Sequence, residues 1–179
     1  YRLSEIPEAL FGVFGSLLAM GGFVMPVLAR RLTERRPPLF NLLFTSTLIL
    51  LGLSGMCFVW PWVGLLPALL LFSCMYMMGF FLSHYLNQAT SSEQRATVLS
   101  FKGLFLNLGY GGIGLLYALL LAFLRKQTIQ SQPGLLEAAL KNQVFINSLP
   151  WFVGYFTLLL LVLLLVMRMT LHQSGAGKT

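Results

Sequence analysis

Five stretches of this 179-residue chain are each long and apolar enough to cross a lipid bilayer, and only short intervals separate them. They run over residues 9–29, 39–59, 63–86, 98–124 and 148–167. A membrane span needs about 20 mostly apolar residues. A backbone inside hydrocarbon has no water to bond, so each span must satisfy its own N–H and C=O groups as a helix. The sequence therefore predicts an all-α fold, a polytopic transmembrane helix bundle forming a single membrane domain over residues 1–179. Charge agrees: 9% of residues are charged, against about 25% in a soluble domain. A soluble core of this size would still need a charged surface, so the apolar surplus faces lipid.

The net charge of +7 is concentrated at the ends of the spans. In a soluble chain such a balance would raise the question of nucleic acid. Here the positive-inside rule accounts for it, and no nucleic-acid partner is expected. With the loop 30–38 taken as cytoplasmic, five spans put Arg30, Arg31, Arg35, Arg36, Arg95, Lys102, Arg168 and Lys178 on that side. Arg2, Arg125, Lys126 and Lys141 fall outside. The expected topology has a second cytoplasmic loop at 87–97, an external loop at 125–147 and a cytoplasmic tail at 168–179. The chain begins at Tyr1 rather than Met, with no signal-peptide pattern before the first span, which suggests a piece of a longer or processed protein.

Within the first run, Gly12, Gly15 and Ala19 form a stripe of small residues that lets helices approach closely in lipid. Pro26 is expected to kink the end of that run, and Pro37-Pro38 to stop any helix. The second run ends at Trp60-Pro61-Trp62, suited to an uncharged turn at headgroup level. Pro133-Gly134 marks a turn in the 125–147 connection, followed at Leu135 to Val144 by a stretch that fits a short amphipathic helix at the interface. The last run, with its core FTLLLLVLLLV, is apolar all round and faces lipid over much of its girth.

Few residues invite a chemical role. Glu5 and Glu8 stand where they would cap the first helix, and its dipole favours negative charge there over a cation-binding use. His84 lies near the end of the third run, a position that favours an interfacial histidine over a proton relay. Lys102 is one turn into its span and can snorkel to the headgroups. Asn107 and Tyr110 sit deeper, one turn apart on a glycine-rich run. A polar side chain at that depth faces protein or a water-filled cavity. Helix-to-helix bonding and substrate contact would satisfy the pair equally. The tail SGAGKT resembles part of a phosphate loop, but His172 occupies the first glycine position and no strand precedes it, so a plain tail is expected. Cys57 and Cys74 lie in apolar runs with no metal or disulfide spacing. No aspartate occurs in the chain and no nucleophile–base pair is visible, so neither an enzyme nor a cofactor or metal site is expected.

Two stretches carry a family resemblance. Gly22-Phe23-Val24-Met25-Pro26-Val27-Leu28-Ala29-Arg30-Arg31 resembles the loop motif G-x-L-x-D-x-x-G-R-R of the major facilitator superfamily, which joins two spans on the cytoplasmic side. Gly22, Arg30 and Arg31 match; Pro26 replaces the aspartate and Ala29 the second glycine. Tyr85 to Leu104 is similar to the segment between the tenth and eleventh spans of such transporters, where Arg95-Ala96-Thr97-Val98-Leu99-Ser100 opens the eleventh. The resemblance implies a C-terminal half, with the five runs as spans eight to twelve. It implies a missing N-terminal half as partner, and a small-molecule solute and protons as ligands. It makes Asn107, Tyr110 and Tyr76 candidates for the substrate cavity, in a secondary transporter of the bacterial-type inner membrane that works by alternating access. The competing expectation is a small multispanning subunit that packs against partners and transports nothing.

Overall fold

A computed structural model describes residues 11–58 and 63–176, with side chains described from Gly12 to Thr170 within those ranges. Glu5 and Glu8, the Trp60-Pro61-Trp62 turn and the end of the SGAGKT tail lie outside the described residues. Among the described residues the chain is helical and has no strand. Five helices follow one another: α1 (Phe11–Arg35), α2 (Pro38–Met56), α3 (Leu65–Ala89), α4 (Arg95–Ser131) and α5 (Glu137–Ala176). All five are long and apolar enough to span a membrane, and they mark a multi-pass membrane protein.

The helices run past the apolar stretches that announce them. α1 continues through Arg30 and Arg31 to Arg35, so these arginines stand on a helix rather than in a loop. Arg, Leu and Glu are good helix formers, and nothing breaks the helix before Pro37. Pro38 then opens α2 at its first position, where a missing N–H removes no helical bond. The connection expected over 125–147 is also mostly helical. α4 runs on to Ser131, and only the stretch around Pro133-Gly134 is irregular, with Gly134 at φ 96. The short amphipathic segment and the last span are one helix of 40 residues that carries Pro150 inside it. At 1.5 Å per residue, α4 and α5 are roughly 55–60 Å long, well beyond a hydrocarbon core of about 30 Å.

Packing order differs from chain order. α3 lies against both α1 and α2, α5 lies against α2 and α4, and α4 meets the remainder chiefly through α5. Two apolar clusters hold the ends. Ala29 on α1 is enclosed with Met77 and Phe81 on α3. Leu124 on α4 packs with Leu140 and Val144 on α5. The α2–α3 contact is closer still, because Gly52 and Gly55 let α2 settle against Leu71 and Pro67. Several Ser and Thr hydroxyls on the spans donate within their own helix: Ser73 to the Leu69 carbonyl at 2.8 Å and Thr157 to the Val153 carbonyl at 2.7 Å. Such back-bonding disposes of a polar group where no water is at hand.

Candidate functional site

Antiparallel succession brings the end of α1, the start of α2, the end of α3, the start of α4 and the end of α5 to one end of the bundle. Three contacts fix this. Asn41 Nδ2 donates to the Tyr85 hydroxyl at 2.8 Å, tying α2 to α3. Lys102 Nζ donates to Ser83 Oγ at 2.7 Å, tying α4 to α3. Met167 of α5 shares a cavity wall with Pro38 and Tyr85. Arg30, Arg31, Arg35, Arg36, Arg95, Lys102 and Arg168 therefore gather at this end, with Glu34 and Glu93 as the only acids among the described residues there. Glu34 is engaged: Arg30 Nε donates to its Oε1 at 2.9 Å, in a pair exposed on both sides. An exposed pair of this kind contributes little stability. Arg36 places its guanidinium 4.9 Å above the ring of Phe40.

The motif residues separate in space. Gly22 meets Tyr76, whose ring carbons lie 3.4 Å from where a Cβ would stand, and Gly21 meets the same ring at 3.7 Å. Half-buried Tyr76 thus spends its ring on the α1–α3 contact. Arg95 is the first residue of α4. Asn107 and Tyr110 are both exposed, Tyr110 at 69%, in a stretch of α4 over residues 103–116 that is exposed all round. Around them, Gly103, Gly109, Gly111 and Gly112 have nothing within 4 Å of a Cβ position. Tyr76 on one side and Asn107 with Tyr110 on the other do not form one cluster among the described residues.

Sequence reasoning passed over a fully buried polar pair at this end. Asn41 is 1% exposed and Thr45 0%, with Ser46 close behind. Thr45 Oγ1 donates to the Asn41 carbonyl at 2.9 Å. Asn41 Oδ1 is buried and has no hydrogen-bond partner. Exchanging the amide's O and N would let Tyr85 donate instead, but would then leave the amide nitrogen unmet, so half of the side chain is unpartnered in either assignment. The available signal was slight: Asn41 and Thr45 fall one turn apart in a largely apolar run that also holds Ser46, Thr47 and Ser54. His84 stacks on Phe80 at 5.7 Å and meets Tyr85 edge-on at 5.4 Å, an aromatic setting at the same end.

At the opposite end α4 and α5 are clasped by Arg125 Nη2, which donates to both carboxylate oxygens of Glu137 at 3.1 and 3.2 Å. Deeper between the same helices, Ile113, Leu116, Tyr117, Trp151, Phe152 and Tyr155 line an apolar cavity of ≈ 280 Å³.

Comparison with protein-family models, curated proteins and solved structures finds no match to this chain.

Proposed function

We propose that this chain is the C-terminal membrane portion of a secondary transporter of the major facilitator type, moving a small solute by alternating access. The observation that carries the reading is the membrane-embedded part of α4. It combines Asn107, Tyr110 and a row of glycines on a surface that no other described helix covers. Hydrocarbon is a poor neighbour for an amide and a phenol, and glycines without a close partner waste their chief advantage in lipid. A second membrane half placed against this surface would meet both needs and would enclose a polar path. α1, whose Gly12 and Gly15 are equally uncovered, would flank it. The reading places the basic end in the cytoplasm and the membrane as the bacterial-type inner membrane. The chain itself does no covalent chemistry in this scheme; it binds, and it rocks against its partner half.

The uncovered glycines also suit a subunit that merely packs against other membrane proteins. Cysteine accessibility separates the two readings. In a background with Cys57 and Cys74 replaced by serine, Asn107→Cys and Tyr110→Cys are introduced singly into the natural full-length protein. A membrane-impermeant maleimide applied from each side should label both positions, with accessibility on the two sides shifting in opposite directions when solute is added. Protection from both sides under all conditions would mean a packing surface and would end the transport reading.

A further inference from the structure

Lys102 is held in a way that snorkelling does not require. Its Nζ donates to Ser83 Oγ at 2.7 Å. Ser83 lies six residues before the last residue of α3, and Lys102 seven after the first of α4. The bond therefore crosses between the two helices at one depth, instead of running along α4 toward the headgroups. From 99 to 116, Lys102 is the one residue of α4 that is not exposed. Ser83 gives its own proton to the Gly79 carbonyl at 2.9 Å, so it serves Lys102 only as an acceptor. An ammonium has three hydrogens to donate, and this one has a single acceptor among the described residues. No carboxylate offsets its charge either. α2, α3 and α4 contain no acidic residue, and the ion pairs among the described residues use Glu34 and Glu137, not Lys102. A cation inside a span pairs with an opposite charge or lines a water-filled path. Space is at hand: Gly79, one turn from Ser83, and Gly103, next to Lys102, have nothing within 4 Å of a Cβ position. Gly103 also begins the open row of glycines that runs past Asn107 and Tyr110, so Lys102 stands at the basic end of the surface read above as the solute path.

We propose that Lys102, positioned by Ser83, binds the negative group of the solute, and that the solute is an organic carboxylate. The inference rests on the transport reading and narrows it to a chemical class. Charge makes the selection. The cluster of arginines at this end draws anions toward the mouth of the path, and the path there offers one ammonium with hydrogens to spare. A cationic solute would be repelled, and a neutral one would leave Lys102 without a counter-charge. One ammonium balances one carboxylate, whereas a phosphate group brings up to about two charges. The two open N–H groups of Lys102 then have acceptors, which the serine alone does not supply.

The test uses the natural full-length protein in nanodiscs. Its thermal unfolding is followed with acetate, butyrate or benzoate, each against chloride at equal ionic strength, and with benzyl alcohol as an uncharged control. At least one carboxylate should raise the midpoint saturably. Lys102→Met should weaken that binding by at least about tenfold, since hydrogen bonds to a charged group are lost, and Lys102→Arg should restore most of it. Stabilisation by none of the three carboxylates would overturn the proposal. So would equal stabilisation of the Lys102→Met protein, or an effect of benzyl alcohol as large as that of benzoate. A carbodiimide cross-link from Lys102 to an Asp or Glu of the second half, formed without added carboxylate, would overturn it too, because the counter-charge would then belong to the protein. Maleimide labelling of Asn107→Cys and Tyr110→Cys does not depend on Lys102 and keeps the two readings apart. Two-sided labelling without carboxylate binding would end the assignment of the solute class and leave transport standing; carboxylate binding without two-sided labelling would end the solute role of Lys102 together with the transport reading.

Discussion

The close approach of α2 to α3 at Gly55 offers a measurement whose sign depends on tertiary structure alone. A Cβ added at Gly55 would lie 2.7 Å from Cγ and 3.1 Å from Cβ of Pro67. Carbon atoms rest at about 3.5–4.0 Å, so the neighbour must retreat by nearly 1 Å. Pro67 is a closed ring in the first turn of α3 and cannot rotate aside; α2 and α3 must part instead. Overpacking of this kind costs about 1–3 kcal/mol. Alanine returns about 0.5–1 kcal/mol over glycine in a helix interior, and less near the last turn where Gly55 sits. Gly55→Ala should therefore lose about 1–2 kcal/mol. Gly154→Ala is the reference, because a Cβ there meets nothing within 4 Å and only the favourable backbone term remains. Thermal unfolding in mild detergent reads the difference at about 2–4 °C per kcal/mol for a chain of this size. A Gly55→Ala protein as stable as Gly154→Ala would show that α2 and α3 do not pack as described.

Three further outcomes follow from other contacts. Tyr85→Phe removes the acceptor of Asn41 Nδ2 and leaves both ends of a buried amide unmet; it should cost about 1 kcal/mol, with a coupling near 0.6 kcal/mol in a double-mutant cycle with Asn41→Leu, and strict additivity in that cycle would contradict the contact. Leu140→Ala opens the α4–α5 cluster, in which Leu140 is 5% exposed; a loss of about 2–5 kcal/mol is expected by detergent unfolding. Arg125→Gln breaks a pair whose side chains are 51% and 55% exposed; the midpoint should move by less than about 4 °C, as an exposed pair contributes under about 1 kcal/mol.

Much of the candidate site was only partly legible in the sequence. Asn107 and Tyr110 were conspicuous as polar groups among glycines, and the structure leaves both exposed on α4. Asn41 was inconspicuous, a single amide three residues after a proline pair, and its importance appears only when Tyr85, 44 residues away, comes within 2.8 Å. Tyr76 was a cavity candidate only through the family resemblance, and its ring serves instead as a flat surface for two glycines. The glycines divide in the same way. Gly52 and Gly55 are filled by α3, whereas Gly109 and Gly112 are open, although all four occupy similar apolar surroundings in the chain.

The sequence by itself determined the number of candidate spans among the described residues and their apolar extent. Hydrocarbon forbids unpaired backbone groups, and the bilayer's thickness sets how many residues a span must have. Pro37-Pro38 and Pro133-Gly134 fixed two of the breaks, because neither pair can continue a helix. Tertiary structure alone decided which helices touch: α3 between α1 and α2, and α5 between α2 and α4. A soluble helix declares its buried side by a polar opposite face, but lipid is as apolar as a neighbouring helix. A span that is apolar all round therefore carries no mark of which side is covered. That choice rests on shape, on Gly52 against Leu71 and Gly22 against Tyr76, and shape exists only once both helices are in place.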